Sequence, residues 1–191
     1  MHSIPRSPIL MTRTNTALLV VDVQQKFMPV IRKPEMLVWN IRRLVNGAGL
    51  FEIPVAATEQ YPQGLGSTVE PLAGLIKATY EKTTFSCREA GDLFRSWASS
   101  GVSNIVITGI ELHVCIQQTV LDLISEGFCL FLPVDALSSQ RAEDGEQALI
   151  RMRNAGAVST TTESILFEWC ETAQDPNFKQ ISSLACEQQP G

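Results

Sequence analysis

Five short, almost uninterrupted apolar runs recur along the chain: ALLVVD (17–22), IPVAAT (53–58), NIVITG (104–109), FCLFLPV (128–134) and AVSTTT (157–162). Runs rich in Val, Ile and Leu, without regular polar alternation, predict strands covered on both faces, as in a parallel sheet. Pro133 cannot donate to a ladder, so it marks the end of the fourth strand or an edge position. Between the runs the apolar positions return with the helical period. In PEMLVWNIRRLVNGAG, Leu37, Ile41, Leu44, Val45 and Ala48 share one face, with Pro34 at the start and Gly47 or Gly49 near the end. REAGDLFRSWASSG groups Ala90, Leu93, Phe94 and Trp97 and stops at Gly101. VCIQQTVLDLISEG groups Ile116, Val120, Leu123 and Ile124 before Gly127, and EDGEQALIRMRNAG ends at Gly156 in the same way.

Strand alternating with helix implies βαβ units. The expectation is a single doubly wound α/β domain over residues 15–185, behind an N-terminal tail at 1–14. Its central parallel sheet has about six strands, with helices on both faces, and the sixth is expected in the irregular stretch near Lys77–Glu81. In such a sheet, function gathers beyond the carboxyl ends of the strands. The residues there are Asp22 and Gln24, the loop TEQYPQGLG, the patch Glu111–Cys115 and Asp135.

Composition narrows the chemistry. The 191 residues carry a formal net charge of −5, which argues against a general nucleic-acid binder. No apolar run approaches the length needed to span a bilayer, so no membrane role is expected. Five cysteines without a CxxC spacing suggest neither a disulfide framework nor a zinc ribbon, but reduced thiols inside the cell. The cytoplasm is the expected compartment. The mitochondrion is the alternative, because the first 21 residues hold Arg6 and Arg13 but no acid, although Pro5 and Pro8 would interrupt a transit helix. No GxGxxG follows a strand and no GxxxxGK[ST] occurs, so dinucleotide binding and ordinary nucleotide hydrolysis have no support. With only His2 and His113, no histidine-rich metal site can be built. No cofactor and no metal are expected.

Cys115 stands apart. It lies just past a buried strand where a helix begins, and helix N-terminal N–H groups favour a thiolate and can hold an oxyanion. The plainer reading of any one cysteine is a small buried hydrophobe. Cys129 fits that reading, and Cys87, Cys170 and Cys186 have no strand-end setting. Asp22 closes an apolar strand and is either a proton acceptor for a nucleophile or a helix cap.

Taken together, ALLVVDVQQKF, the lysine of YEKTTFSC and VITGIELHVCIQQTVLDLISEGF resemble the isochorismatase-like cysteine hydrolase superfamily, in order and spacing, from about Thr16 to about residue 170. ATEQYPQGLGSTVEPL further resembles the eukaryotic isochorismatase-domain-containing proteins. The resemblance implies an Asp–Lys–Cys triad of Asp22, Lys82 and Cys115 acting on a small amide or related bond. It implies a cis peptide between Ile110 and Glu111, and an oxyanion hole formed by the backbone N–H groups of Glu111 and Cys115. It also implies a homo-oligomer, for which exposed apolar residues of SILFEWC are the candidate interface.

Gln24, Phe27, Tyr61, Phe85 and His113 are candidates to line the pocket of a small-molecule substrate. The histidine-free loop TEQYPQGLG departs from the metal cluster of nicotinamidases in the superfamily. Glu111 replaces the small residue of many relatives, so its side chain either alters the pocket or pairs elsewhere. A non-catalytic oligomeric interaction protein and an isochorismatase-type vinyl ether hydrolase are the alternative functions.

Overall fold

In the computed structural model, which describes residues 4–190, the apolar runs form one sheet of six parallel strands. His2, and with it the start of the segment 1–14, lies outside the described residues. The strands are β1 (Thr16–Val21), β2 (Val55–Gln60), β3 (Thr79–Lys82), β4 (Asn104–Gly109), β5 (Cys129–Pro133) and β6 (Val158–Thr160). They lie in the order β3-β2-β1-β4-β5-β6, so the winding reverses between β1 and β4. The expected sixth strand is β3, a short edge strand reading TYEK. Pro133 ends β5, which is an interior strand.

The helices are α1 (Pro34–Leu50), the single turns α2 (Pro62–Leu65) and α3 (Leu72–Leu75), α4 (Gly91–Ser99), α5 (Gln117–Ser125), α6 (Ala142–Asn154), α7 (Thr162–Cys170) and α8 (Phe178–Ala185). Alternate residues of β1 split the core. Leu18 and Val20 join Leu37, Ile41 and Leu44 of α1, Ile165 and Trp169 of α7 and Ile181 of α8. Leu19 and Val21 join Phe94 and Trp97 of α4, Val120 and Leu123 of α5 and Met152 of α6. Both faces are therefore covered, which is why β1 and β4 tolerate no polar alternation.

SILFEWC is not an exposed interface segment. It lies within α7, whose Ile165, Leu166, Trp169 and Cys170 are all buried, and Phe167 is the one apolar residue of the segment that reaches solvent. The helix seats closely on α1: a Cβ at Gly47 would stand 2.3 Å from the Leu166 side chain. Ahead of β1, Met11 is fully buried and its N–H donates to Glu168 at 2.9 Å, while Arg6 donates to the Met11 and Glu168 carbonyls.

At the reversal point Val21 and Gly109 stand side by side. Gly109 has φ +113°, and a Cβ there would fall 2.1 Å from the Val21 carbonyl oxygen. Only glycine admits so close an approach with that backbone. The ends of β1 and β4, which deliver Asp22 and the Cys115 turn, are thereby held in direct contact.

Candidate active site

Asp22 follows β1 in the left-handed region (φ 55°), which aspartate enters more readily than most residues. Its N–H donates to the Thr58 carbonyl at 3.1 Å and its carbonyl accepts from Gln24 N–H at 2.8 Å. The carboxylate is fully buried. Lys82 Nζ donates to Oδ2 at 2.7 Å and Thr58 Oγ1 donates to Oδ1 at 2.8 Å.

Lys82 is the last residue of β3, in register with Gln60 of β2. Its ammonium is also buried, and it donates to Gln60 Oε1 at 2.7 Å and to the carbonyls of Thr84 and Phe85. Burial alone would lower its pKa. Burial is the largest single influence, but the Asp22 charge and hydrogen bond together with Cys87 and Cys115 outweigh it and raise the pKa, so the amine is held charged. Glu89 ties down the loop that supplies these carbonyls by accepting from the N–H groups of Thr83 and Thr84.

The chain leaves β4 through a cis peptide between Ile110 and Glu111, as the resemblance implies. It then enters a wide helical turn, Leu112–Ile116, in which Ile116 N–H reaches back five residues to the Glu111 carbonyl. The helix therefore starts ahead of Cys115, which sits inside its first turn and is 5% exposed. No hydrogen bond from the Glu111 N–H is present among the described residues. Thr119 Oγ1 secures the turn by donating to the Cys115 carbonyl at 2.7 Å, and it accepts from Cys87 N–H at 2.9 Å.

The expected thiolate is not the resting form. Burial is the main cause that raises the Cys115 pKa well above the ordinary thiol range, and the Asp22 charge and hydrogen bond add to it against the opposing pull of Lys82. The sulfur keeps its proton. Asp22→Asn removes a raising charge and leaves Lys82, so the thiol is expected to titrate at lower pH than in the wild type. Ultraviolet thiolate absorbance, taken as a difference against the same protein with Cys115→Ser, measures this. An unchanged or higher titration would mean that Asp22 does not hold the proton on sulfur.

The remaining pocket candidates separate. Gln24 is fully buried and spends its amide on backbone, donating to the carbonyls of Gln60 and Gly66 and accepting from Gln60 N–H. Phe27 packs against the core. Tyr61 and Phe85 are more than half exposed, each in a loop beside Lys82. His113 lies with Nδ1 3.4 Å from Glu111 Oε2, and that carboxylate accepts from Gln140 N–H at 3.2 Å. Glu111 thus pairs elsewhere, fastening the turn to the loop before α6.

Thr58, Gln60, Cys87 and Thr119 were not singled out from the sequence, although Thr58 and Gln60 lie in the strand-end segment marked for inspection. Cys87 is fully buried beside the triad candidates. Among the described residues no three His, Cys, Asp or Glu side chains cluster so as to hold a metal ion, and no helix is long and apolar enough to cross a membrane.

The model of the isochorismatase domain matches residues 16–164, the span from β1 to the start of α7. The chain belongs to the isochorismatase family. It is 40% identical to isochorismatase domain-containing protein 1 of Danio rerio over 85% of this chain, but spans only 58% of that relative's length. Isochorismatase domain-containing protein 2 of the same fish is 34% identical over 92% of this chain and 89% of its own. Among solved structures, the MAR1 ribonuclease of Caenorhabditis elegans superposes with a TM-score of 0.87 at 35% identity, covering 95% of each chain. In this isochorismatase-family chain, the buried Asp22–Lys82 pair and Cys115 meet where the strand order reverses, the expected location of a site in an open α/β sheet.

Proposed function

We propose that the protein is a cysteine hydrolase that cleaves a small amide-type C–N bond through an acyl-enzyme. The observation that carries this reading is the buried ion pair, 2.7 Å between Asp22 Oδ2 and Lys82 Nζ, acting on the Cys115 thiol. Burying two charges is costly, and a charged carboxylate facing a protonated thiol is the arrangement a general base requires.

Asp22 takes the S–H proton as sulfur attacks the carbonyl carbon. The oxyanion forms against the N–H groups of Glu111 and Cys115. Collapse breaks the C–N bond, and Asp22 returns the proton to the leaving amine. Water, deprotonated by the same carboxylate, then attacks the thioester and releases the acid, and Asp22 returns that proton to the departing Cys115 sulfur. Lys82 keeps Asp22 oriented and balances the negative charge that moves between Asp22 and Cys115.

The ribonuclease named for the Caenorhabditis elegans neighbour is a less favoured reading. Asp22, Lys82 and Cys115 are all at most 5% exposed, a depth that suits a small molecule better than a polynucleotide backbone.

A panel of small amides, assayed for ammonia release and for a mass increase on the Cys115 peptide during turnover, tests the proposal. Turnover with an acylated Cys115 is the expected result. Release of ammonia from none of the panel, together with an unmodified Cys115, would favour an interaction protein that keeps the fold.

A further inference from the structure

We propose that Thr58, backed by Cys87, is the positioning residue that fixes the Asp22 carboxylate for proton transfer from Cys115. This rests on the reading of Asp22 as general base given above.

A carboxylate turns readily about its last torsion, which is broad and two-fold. Lys82 fixes Oδ2 of Asp22, and Thr58 Oγ1 fixes Oδ1 at 2.8 Å, so the two donors together define the plane. An ionised carboxylate only accepts, and a threonine hydroxyl has one proton. That proton goes to Asp22, which leaves the Thr58 oxygen as the acceptor in its 3.6 Å contact with Cys87 Sγ. The Cys87 S–H must then point at Thr58.

Burial, followed by the Asp22 charge, pushes the Cys87 thiol up to about 11, so it remains a donor through the neutral range. The chain of donors runs one way, from Cys87 to Thr58 to Asp22. Thr58 is 1% exposed and stands two residues along β2 from Ala56, on the face that also holds Cys87 and Cys115. The ionisable groups acting at this point are Lys82 from β3, Cys115 from the turn after β4 and Cys87 from the turn before α4. Thr58, buried inside β2, thus has a partner on each side.

Removing the hydroxyl takes a donor from the ionised Asp22 carboxylate, so transfer of the Cys115 proton to it requires higher pH. The probe is iodoacetamide, with its labelling of Cys115 followed across pH by peptide mass spectrometry. Wild-type labelling is expected to show an acid limb belonging to the Asp22–Cys115 pair. Asp22→Asn removes that limb and leaves only the Cys115 thiol titration, itself lower than in the wild type. Thr58→Val is expected to move the limb up by about one pH unit or more, an approximately tenfold loss of labelling on the limb. Thr58→Ser restores it, and Cys87→Ala shifts it the same way by less.

A hydroxyl that served only packing would change the melting temperature and leave the limb in place. If the Thr58→Val limb superposes on the wild type while Asp22→Asn lacks the limb, the positioning role is wrong and the base role stands. If Asp22→Asn and wild type coincide, or wild-type Cys115 is never labelled, both fall. Should Thr58→Val fail to fold, Thr58→Ala and Cys87→Ala make the same comparison.

Discussion

Cys115→Ala is expected to reduce amide turnover to the uncatalysed background, a loss of about 10⁴-fold or more, as for other enzymes that lose their nucleophile. Nothing else near the turn can replace the sulfur. Cys87 is a thiol, but it is fully buried and committed to Thr58. Cys115→Ser is expected to be nearly as poor, because a hydroxyl is far harder to deprotonate and Asp22 was placed to relieve a thiol. The fold should survive. Deleting one buried sulfur costs about 1 kcal/mol, so the melting transition moves little while turnover disappears. Ammonia release by a folded Cys115→Ala protein at a tenth of the wild-type rate would exclude the acyl-enzyme.

The second large effect is on stability. Lys82→Met leaves the Asp22 carboxylate in the core with no counter-charge, since both side chains of the pair are 1% exposed. Breaking such a pair costs about 3–5 kcal/mol, which for a chain of this size lowers the melting temperature by roughly 6–20 °C. Methionine fills much of the lysine volume, so the loss reports charge more than packing. Adding Asp22→Asn should recover part of it, because an amide is cheaper to bury than a lone carboxylate. Denaturant or thermal unfolding of the two single variants and the double gives the coupling directly. A Lys82→Met protein within about 1 kcal/mol of the wild type would place the pair with solvent-screened surface bridges.

The legible parts of the molecule were those fixed by local pattern. Buried parallel strands cannot alternate, so β1 and β4 declare themselves, and α1, α4, α5 and α6 carry an apolar stripe because one side of each faces solvent. α7 was missed because it is sandwiched: neighbours such as Ile165 and Leu166, or Trp169 and Cys170, are buried together, which blurs the stripe. β3 is an edge strand whose polar TYEK looks unlike its partners. Asp22 and Cys115 were visible as strand-end residues, whereas Lys82 came only from the family resemblance, since its partner lies 60 positions away. Thr58 and Cys87 were invisible for a further reason. Their meeting depends on β2 lying between β1 and β3, an order that no stretch of sequence spells out.

The expected Cys115 thiolate failed on a competition between two local fields. Helix N–H groups favour the anion, whereas burial and the Asp22 charge raise the thiol pKa. Seen from the sequence, the cysteine had a helix. Seen in the fold, it also has a carboxylate.

For anyone wishing to retune this scaffold, Gly109 marks a place to leave alone. Any larger residue there must push the β4 end off Val21, and the separation of base and nucleophile would change before the pocket did. Diversity is better sought at Tyr61 and Phe85, whose rings face solvent on loops that the sheet does not gauge. A library confined to those two positions would leave untouched the backbone contact that sets Asp22 and the Cys115 turn side by side.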